Sequence, residues 1–341
     1  MSGNDGAHSK AATIYDVARV AGVSHQTVSR LLKGYEGIRP ETRQRVIDAL
    51  AQLDYRPNQA ARSLRTNRSN RIGALAHEMS ETGPARIMQG AVSGARDAGY
   101  MLDIVSMDGD DERSIADALN LLSQQQIAGV FATAQNEKVQ AALEGFPLSV
   151  PIFIDVRMES EFEGSPATVA EASGAIAAQH LVDLGHRNFA YLSGPIAWYS
   201  SRDRLSGFRS AAEVAGGVVT SLLEGDWSPE SGYAAGLAFA ADQGVTAIVA
   251  ANDEMAIGLM RALADRGIRV PEEVSVIGFD DIPAARYLSP ALSTVRIDFE
   301  SEGRFAIRWL ISEIEGIAPP APNEIEPPRL IARDSTAPVR Q

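Results

Sequence analysis

The sequence predicts an α/β protein in two parts: a small helical head, then a body of parallel sheets covered by helices on both faces. Three observations carry that expectation. The first seventy residues hold only short apolar stripes of helical period; from Arg71 onward short apolar runs alternate with longer amphipathic stretches; and Gly99, Gly185 and Gly267 each stand just past such a stretch, where a left-handed cap is favoured.

In the head, Ile14, Val17, Ala18 and Ala21 fall at i, i+3, i+4 and i+7, one apolar stripe of a helix. Thr13 precedes it and Asp16 follows three residues on, a capping box with Asp in the usual Glu place. Gly22 ends this helix, and Ser24 is placed to cap a second, whose apolar positions are Val28, Leu31 and Leu32. Gly34 and Gly37 break the chain again. Pro40 suits the first turn of a third helix, with Val46, Ile47, Leu50 and Leu53 expected inward.

In the body, strands are expected at 71–76, 100–106, 128–133, 151–156, 189–193, 218–223, 246–251 and 274–279. Helices are expected near 84–98, 112–125, 136–144, 171–184, 203–215, 230–243 and 253–266. The length suffices for two sheet units, and the natural break falls near 160–170, where Glu159 to Pro166 is polar and carries a glycine and a proline. Beyond Pro319 the chain is proline-rich and shows no heptad pattern.

Composition narrows the class. Of 341 residues, 45% are hydrophobic and 22% charged, ordinary for a globular protein with a full core. No run of about 18 apolar residues occurs, and Met1 to Lys10 lacks the apolar region of a secretory signal. With no cysteine, disulfides and thiolate metal sites are excluded, and the cytoplasm is the expected compartment. The net charge of −13 divides unevenly: residues 1–70 carry 11 Lys and Arg against 6 Asp and Glu, and the rest carry 20 against 38. A basic head on an acidic body suits a protein whose head alone meets phosphates, although an acidic domain with a basic tail fits the same figures.

Two helices joined by the tight Ala21-Gly22-Val23 turn make a helix-turn-helix candidate. The second exposes His25, Gln26, Ser29 and Arg30 beside its apolar face; Gln can pair with adenine and Arg with guanine in the major groove. A solvated polar face is the alternative. No dinucleotide fingerprint, P-loop or zinc-protease motif occurs, and the five histidines are dispersed, with His180 and His186 at a helix end read as structural. No cofactor or metal is expected; an α/β enzyme and a free-standing binding protein are the competing classes. In parallel-sheet bodies ligands sit at the carboxyl ends of strands, which picks out Asp155, Asn252 and Asp280, with Asp253 read as a helix cap.

The run from Thr13-Ile14-Tyr15-Asp16-Val17-Ala18 to Ser24-His25-Gln26-Thr27-Val28-Ser29-Arg30 closely resembles the headpiece of the lactose repressor (LacI/GalR) family. Leu53-Asp54-Tyr55-Arg56-Pro57-Asn58, His180 to Arg187, Ala251 to Gly258 and Val274 to Asp281 are similar to further segments of that family in the same order. The resemblance implies a sequence-specific transcriptional regulator with three parts: a headpiece at 11–56, a hinge at 57–69 and, at 70–335, a two-lobed body like the periplasmic sugar-binding proteins. The lobes would be 70–165 with 299–324, and 166–298 with 325–335. Partners implied are a palindromic double-stranded DNA operator, a small sugar and a second copy of the chain; no leucine-rich helix follows Gln341, so a homodimer rather than a tetramer is expected.

Residue by residue, the implied DNA contacts are Thr13, His25, Gln26, Thr27, Ser29 and Arg30, with Asn58, Ala61 and Leu64 in the hinge. There Leu64 would wedge into a base step of the minor groove. Read alone, the hinge is first a solvated linker or a short surface helix. For the effector, the resemblance adds Ser200, Arg204, Trp227 and Phe299 to Asp155, Asn252 and Asp280. Carboxylates would accept from sugar hydroxyls, Arg and Asn would donate, and an aromatic face would cover the ring. Thr133 and Ile297 depart from the family's prototype, where Asn and Gln stand. A galactoside or other disaccharide is the favoured inducer and a different sugar its main competitor; Trp227 and Asp155 speak against a purine corepressor.

Overall fold

The computed structural model describes residues 12–32, 35, 37–55, 69–109, 111–155, 159–162, 165–240, 244–321 and 325–339. Two compact units divide at Arg68 and Ser69. The hinge residues Asn58, Ala61 and Leu64 lie outside the described residues.

The first unit is a three-helix cluster: α1 (Ile14–Ala21), α2 (His25–Leu32) and α3 (Pro40–Gln52). Thr13 and Asp16 form the anticipated capping box, and Gly22 closes α1 in the left-handed conformation at φ 64°, which glycine adopts without a Cβ clash. Ser24 Oγ accepts the Thr27 N–H at 3.2 Å, satisfying one free donor at the start of α2. Val17, Ala18, Ala21, Val28, Val46 and Ala49 form the core, with Leu50 and Leu53 packed at its edge. Ile47, expected inward, is instead 42% exposed. Val46 and Ala49 share the buried side of α3, and Ile47 lies one residue, about 100° of helix, beyond Val46.

The second unit has two lobes. The first carries an all-parallel sheet ordered β2-β1-β3-β4, from β1 (Arg71–His77), β2 (Met101–Met107), β3 (Gly129–Thr133) and β4 (Ile152–Asp155). Alternation along β1 feeds both faces. Ile72, Ala74 and Ala76 pack on α4 (Thr82–Asp97) and on α11 (Phe299–Glu315), which returns from later in the chain. Leu75 faces α5 (Glu112–Ser123) and α6 (Glu137–Gly145). The second lobe holds β7 (Asn188–Ser193), β8 (Val218–Glu224), β9 (Ala247–Ala250), β10 (Ser275–Phe279), β11 (Ser293–Arg296) and β12 (Arg329–Ile331), ordered β12-β11-β10-β9-β7-β8. Only β12 runs antiparallel to its neighbour. Its helices are α7 (Val169–Asp183), α8 (Tyr199–Val214), α9 (Pro229–Ala238) and α10 (Asp253–Asp265).

The chain passes between lobes three times, after β4, between β11 and α11, and between α11 and β12. The first passage contains an antiparallel hairpin, β5 (Glu159–Phe162) with β6 (Ser165–Thr168), where the sequence pattern predicts only a break. Helix α9 stops at Ala238, short of the expected 243, because Phe239 turns to extended backbone. In three helix pairs glycines bring backbones together. A Cβ on Gly174 would come within 2.1 Å of the Arg204 carbonyl, one on Gly90 within 2.0 Å of Glu300, and one on Gly258 within 1.8 Å of Pro229. Gly174 thereby sets α7 directly against the helix that carries Arg204. No described helix is long and apolar enough to cross a membrane.

Candidate functional site

In the head unit, α2 presents His25, Gln26 and Arg30 to solvent, with Thr27 and Ser29 half-buried. The His25 ring lies 5.1 Å from Tyr15, and the Arg30 guanidinium stands over the Tyr35 ring at 5.8 Å. Exposed long donors on aromatic supports are available to a nucleic-acid surface. Thr13 and Thr27 are already engaged locally, Thr13 Oγ1 donating to Asp16 at 2.6 Å and Thr27 Oγ1 lying 3.0 Å from Ser24 Oγ.

In the body, a cleft of about 860 Å³, counting space open to solvent, lies between the lobes. Its walls include all seven residues expected there: Asp155 at the end of β4, Ser200 and Arg204 on α8, Trp227 after β8, Asn252 after β9, Asp280 after β10 and Phe299 opening α11. Strand carboxyl ends and the turns that follow them supply four of them, as the parallel topology demands.

Arg204 is 4% exposed. Its guanidinium donates to the Ala251 carbonyl, lies 3.6 Å from Asp280 Oδ1 and stands 4.7 Å over the Phe279 ring. Its Nε has no hydrogen-bond partner, and neither do Asp280 Oδ1 and Trp227 Nε1. Buried polar atoms are nearly always satisfied, so three orphans in one cleft mark positions where a ligand's own donors and acceptors fit. Burial raises the Asp280 carboxyl to about 6, with Arg204 holding it down in part, and burial alone raises Asp155 to about 6. The neighbouring Asp281 goes the other way. Burial raises it too, but ion pairs to Arg333 and Arg296 outweigh this and hold it below its ordinary value. Asp281 thus fastens strands together, while Asp280 is left to the cleft.

Trp227 sits at φ 73°, a left-handed conformation rare for a bulky residue. Its indole packs 5.6 Å from the Trp198 ring and fills the space where Gly194 has no Cβ, which would otherwise lie 2.2 Å from the ring. Asn252 caps α10 through the Met255 N–H at 2.8 Å. The expected cap, Asp253, is instead buried and receives the Ile282 N–H at 3.0 Å and the Thr294 hydroxyl at 2.7 Å. The N-cap position falls one residue earlier because Asn252 still has extended backbone and Asp253 is already helical.

The lacI family of bacterial regulatory proteins matches residues 13–58, and a periplasmic binding protein-like domain matches 178–336. Over 331 residues the chain is 31% identical to the lactose operon repressor of Escherichia coli, covering 96% of this chain and 91% of that one. The chain belongs to the lacI family. It is a DNA-binding transcriptional repressor of that family, and its relatives are repressors rather than enzymes. The family member named HTH-type transcriptional repressor PurR, from Vibrio cholerae, is 32% identical over 309 residues, covering 89% of this chain and 92% of that one. The crystal structure of the Lac repressor dimer bound to operator and the anti-inducer ONPF superposes with a TM-score of 0.81 at 30% identity, covering 96% of this chain and 100% of that one. The CelR–cellobiose complex superposes at 0.67 with 27% identity, over 95% and 99% of the two chains.

Within this lacI-family cleft the structure adds side chains that sequence reasoning missed. Glu81 at the start of α4, Asp203 on α8 and Glu302 in the first turn of α11 line it, and Trp198 walls it. A signal existed for Glu302: it stands four residues before Ala306 and eight before Leu310, on the buried stripe of its helix. Of the two positions that depart from the family's prototype, Thr133 is buried and does not line the cleft, whereas Ile297 does.

Proposed function

We propose that this repressor acts as a homodimer on a palindromic operator and is released from it by a sugar bound between the lobes of its body. The observation that carries the sugar reading is the pairing, in one cleft, of the Arg204–Asp280 cluster with the Trp198–Trp227 wall. Charged groups with free hydrogen-bonding capacity beside a broad apolar face suit a ring that is hydroxylated at its edge and apolar on its flat side. The solved structures of the Lac repressor bound to ONPG and of the CelR–cellobiose complex support the same class.

On this reading His25, Gln26 and Arg30 read bases from α2, with Thr13, Thr27 and Ser29 positioning the helix on the backbone. The hinge at 57–69, with Asn58, Ala61 and Leu64, joins headpiece 11–56 to body 70–335 and engages the minor groove. Asp155, Ser200, Arg204, Trp227, Asn252, Asp280 and Phe299 contact the sugar. For the sugar to release DNA, it must favour one arrangement of the lobes over another. The protein works in the cytoplasm.

A purine effector is the second reading, favoured by one specific finding: repressors named PurR are as similar to this chain as the lactose operon repressor is. Titrating the protein on labelled operator with galactosides, glucosides, free monosaccharides and purine bases separates the two. Release by a sugar, with purines inert, is expected; a purine that alone changes operator affinity would overturn the sugar assignment.

A further inference from the structure

Five carboxyl groups, Glu81, Asp155, Asp203, Asp280 and Glu302, line the cleft against a single guanidinium, that of Arg204. Arg204 is committed to the Ala251 carbonyl and to Asp280. No second Arg or Lys lines the cleft among the described residues. Asp203, 6% exposed, accepts the Thr168 hydroxyl at 3.3 Å, while Asp155 and Glu302 are buried at 8% and 6% exposed. Besides burial, the Asp155 and Asp298 charges push the Glu302 carboxyl up, and Arg204 offsets this in part. Glu302 Oε1 is fully buried and has no hydrogen-bond partner.

Burying neighbouring carboxylates as anions is strongly unfavourable, and it holds the Glu302 carboxyl well above its ordinary value unless a cation joins the pair. A metal ion is one remedy, but among the described residues no three His, Asp or Glu side chains converge as its ligands. A neutral sugar hydroxyl can donate to Glu302 but brings no charge. An ammonium group brings three donors and a positive charge, and Phe299, three residues before Glu302 on the same helix, stands by with an aromatic ring. Trp227 Nε1, a buried donor without a partner, asks the same ligand for an oxygen acceptor.

We propose that Asp155 and Glu302 form a subsite for a protonated amine, so that the effector is an amino sugar or similar polyhydroxylated amine. The inference rests on the sugar reading above and narrows it. The ammonium lies between the two carboxylates, while the hydroxylated ring meets Arg204, Asp280 and Trp227.

The test uses the full-length protein and matched ligands: glucosamine and galactosamine, their N-acetylated forms, and glucose and galactose. Binding is followed by calorimetry and operator release by anisotropy. Each amine should bind about tenfold or more tightly than its acetylated and hydroxyl counterparts, the worth of one charge-assisted hydrogen bond. In Glu302→Gln that preference should fall to within about twofold, with ligand-free operator binding and the thermal melt reporting that the variant is folded. Neutral sugars that bind and release operator as well as the amines would overturn the subsite and leave the sugar reading standing. No response to any sugar, aminated or neutral, would overturn both.

Discussion

Asn252 ties Trp227 to the start of α10: its Nδ2 donates to the Trp227 carbonyl at 2.9 Å while its Oδ1 accepts the Met255 N–H at 2.8 Å. One side chain thus caps a helix and holds a tryptophan in a left-handed backbone conformation. Strain of this kind persists only where the surroundings over-determine it. Asn252→Ala removes both bonds and should cost about 2–3 kcal/mol, the sum of a lost cap and a buried carbonyl left unpaired. Asn252→Asp keeps the cap and loses the donor. It should melt between wild type and the alanine variant, yet respond to effector as poorly as the alanine variant. An Asn252→Asp protein with full effector response would remove Trp227 positioning from the account.

Buried carboxyls make the body's stability pH-dependent in a definite direction. Asp155 and Asp280 are raised from 3.8 to about 6, so the folded state holds these protons more tightly than the unfolded chain does. Between pH 7 and 4 their contribution therefore becomes more favourable as pH falls, by on the order of 3 kcal/mol for one such group. His180 and His186 are lowered by burial and work against this below their ordinary value. Comparing wild type with Asp155→Asn isolates the carboxyl: the variant should be the more stable at pH 7.5, with the gap closing toward pH 5. A gap that stays constant across that range would contradict the assignment.

Much of this architecture could be read from residue order. The strands around Ile72, Val130, Ile248 and Ile277 are buried on both faces and appear as plain apolar runs, so the sequence pattern places them to within a residue or two. Asp155, Asn252 and Asp280 were legible because each polar residue ends such a run. β11 and β12 escaped because four and three residues with Ser, Thr and Arg among them carry no period. The β5–β6 hairpin escaped because its polar sequence resembles a loop. Glu302 escaped because a glutamate in a first helical turn ordinarily reads as a solvated end, and only the packing of α11 on α4 shows it inward.

The headpiece should discriminate bases through exposed side chains of α2. Arg30→Ala should relax specificity at one symmetric guanine by about 1–3 kcal/mol, measured by competition among single-substituted operators. Binding of wild type should fall steeply with salt, since the net positive charge is confined to the first seventy residues. Equal affinity for operator and scrambled duplex would sink the DNA-reading part of the account.

Because the chain divides at Arg68 and Ser69, removing residues 1–68 should leave a folded body that binds effector with unchanged affinity. Leu64→Ala in the full chain should weaken operator binding and spare effector binding, as a side chain acting only on kinked DNA requires. A truncated body that fails to fold would place the boundary elsewhere.

The central claim is that the Arg204 cleft senses the effector. The direct measurement is release of labelled operator from wild type and Arg204→Ala across the sugar and amino-sugar panel. Losing the guanidinium leaves Asp280 buried without its cation, so the variant should need about ten- to a hundredfold more effector, or fail to respond. Its operator affinity without ligand should match wild type. Should Arg204→Ala release operator at the same effector concentration as wild type, the cleft is not the sensor.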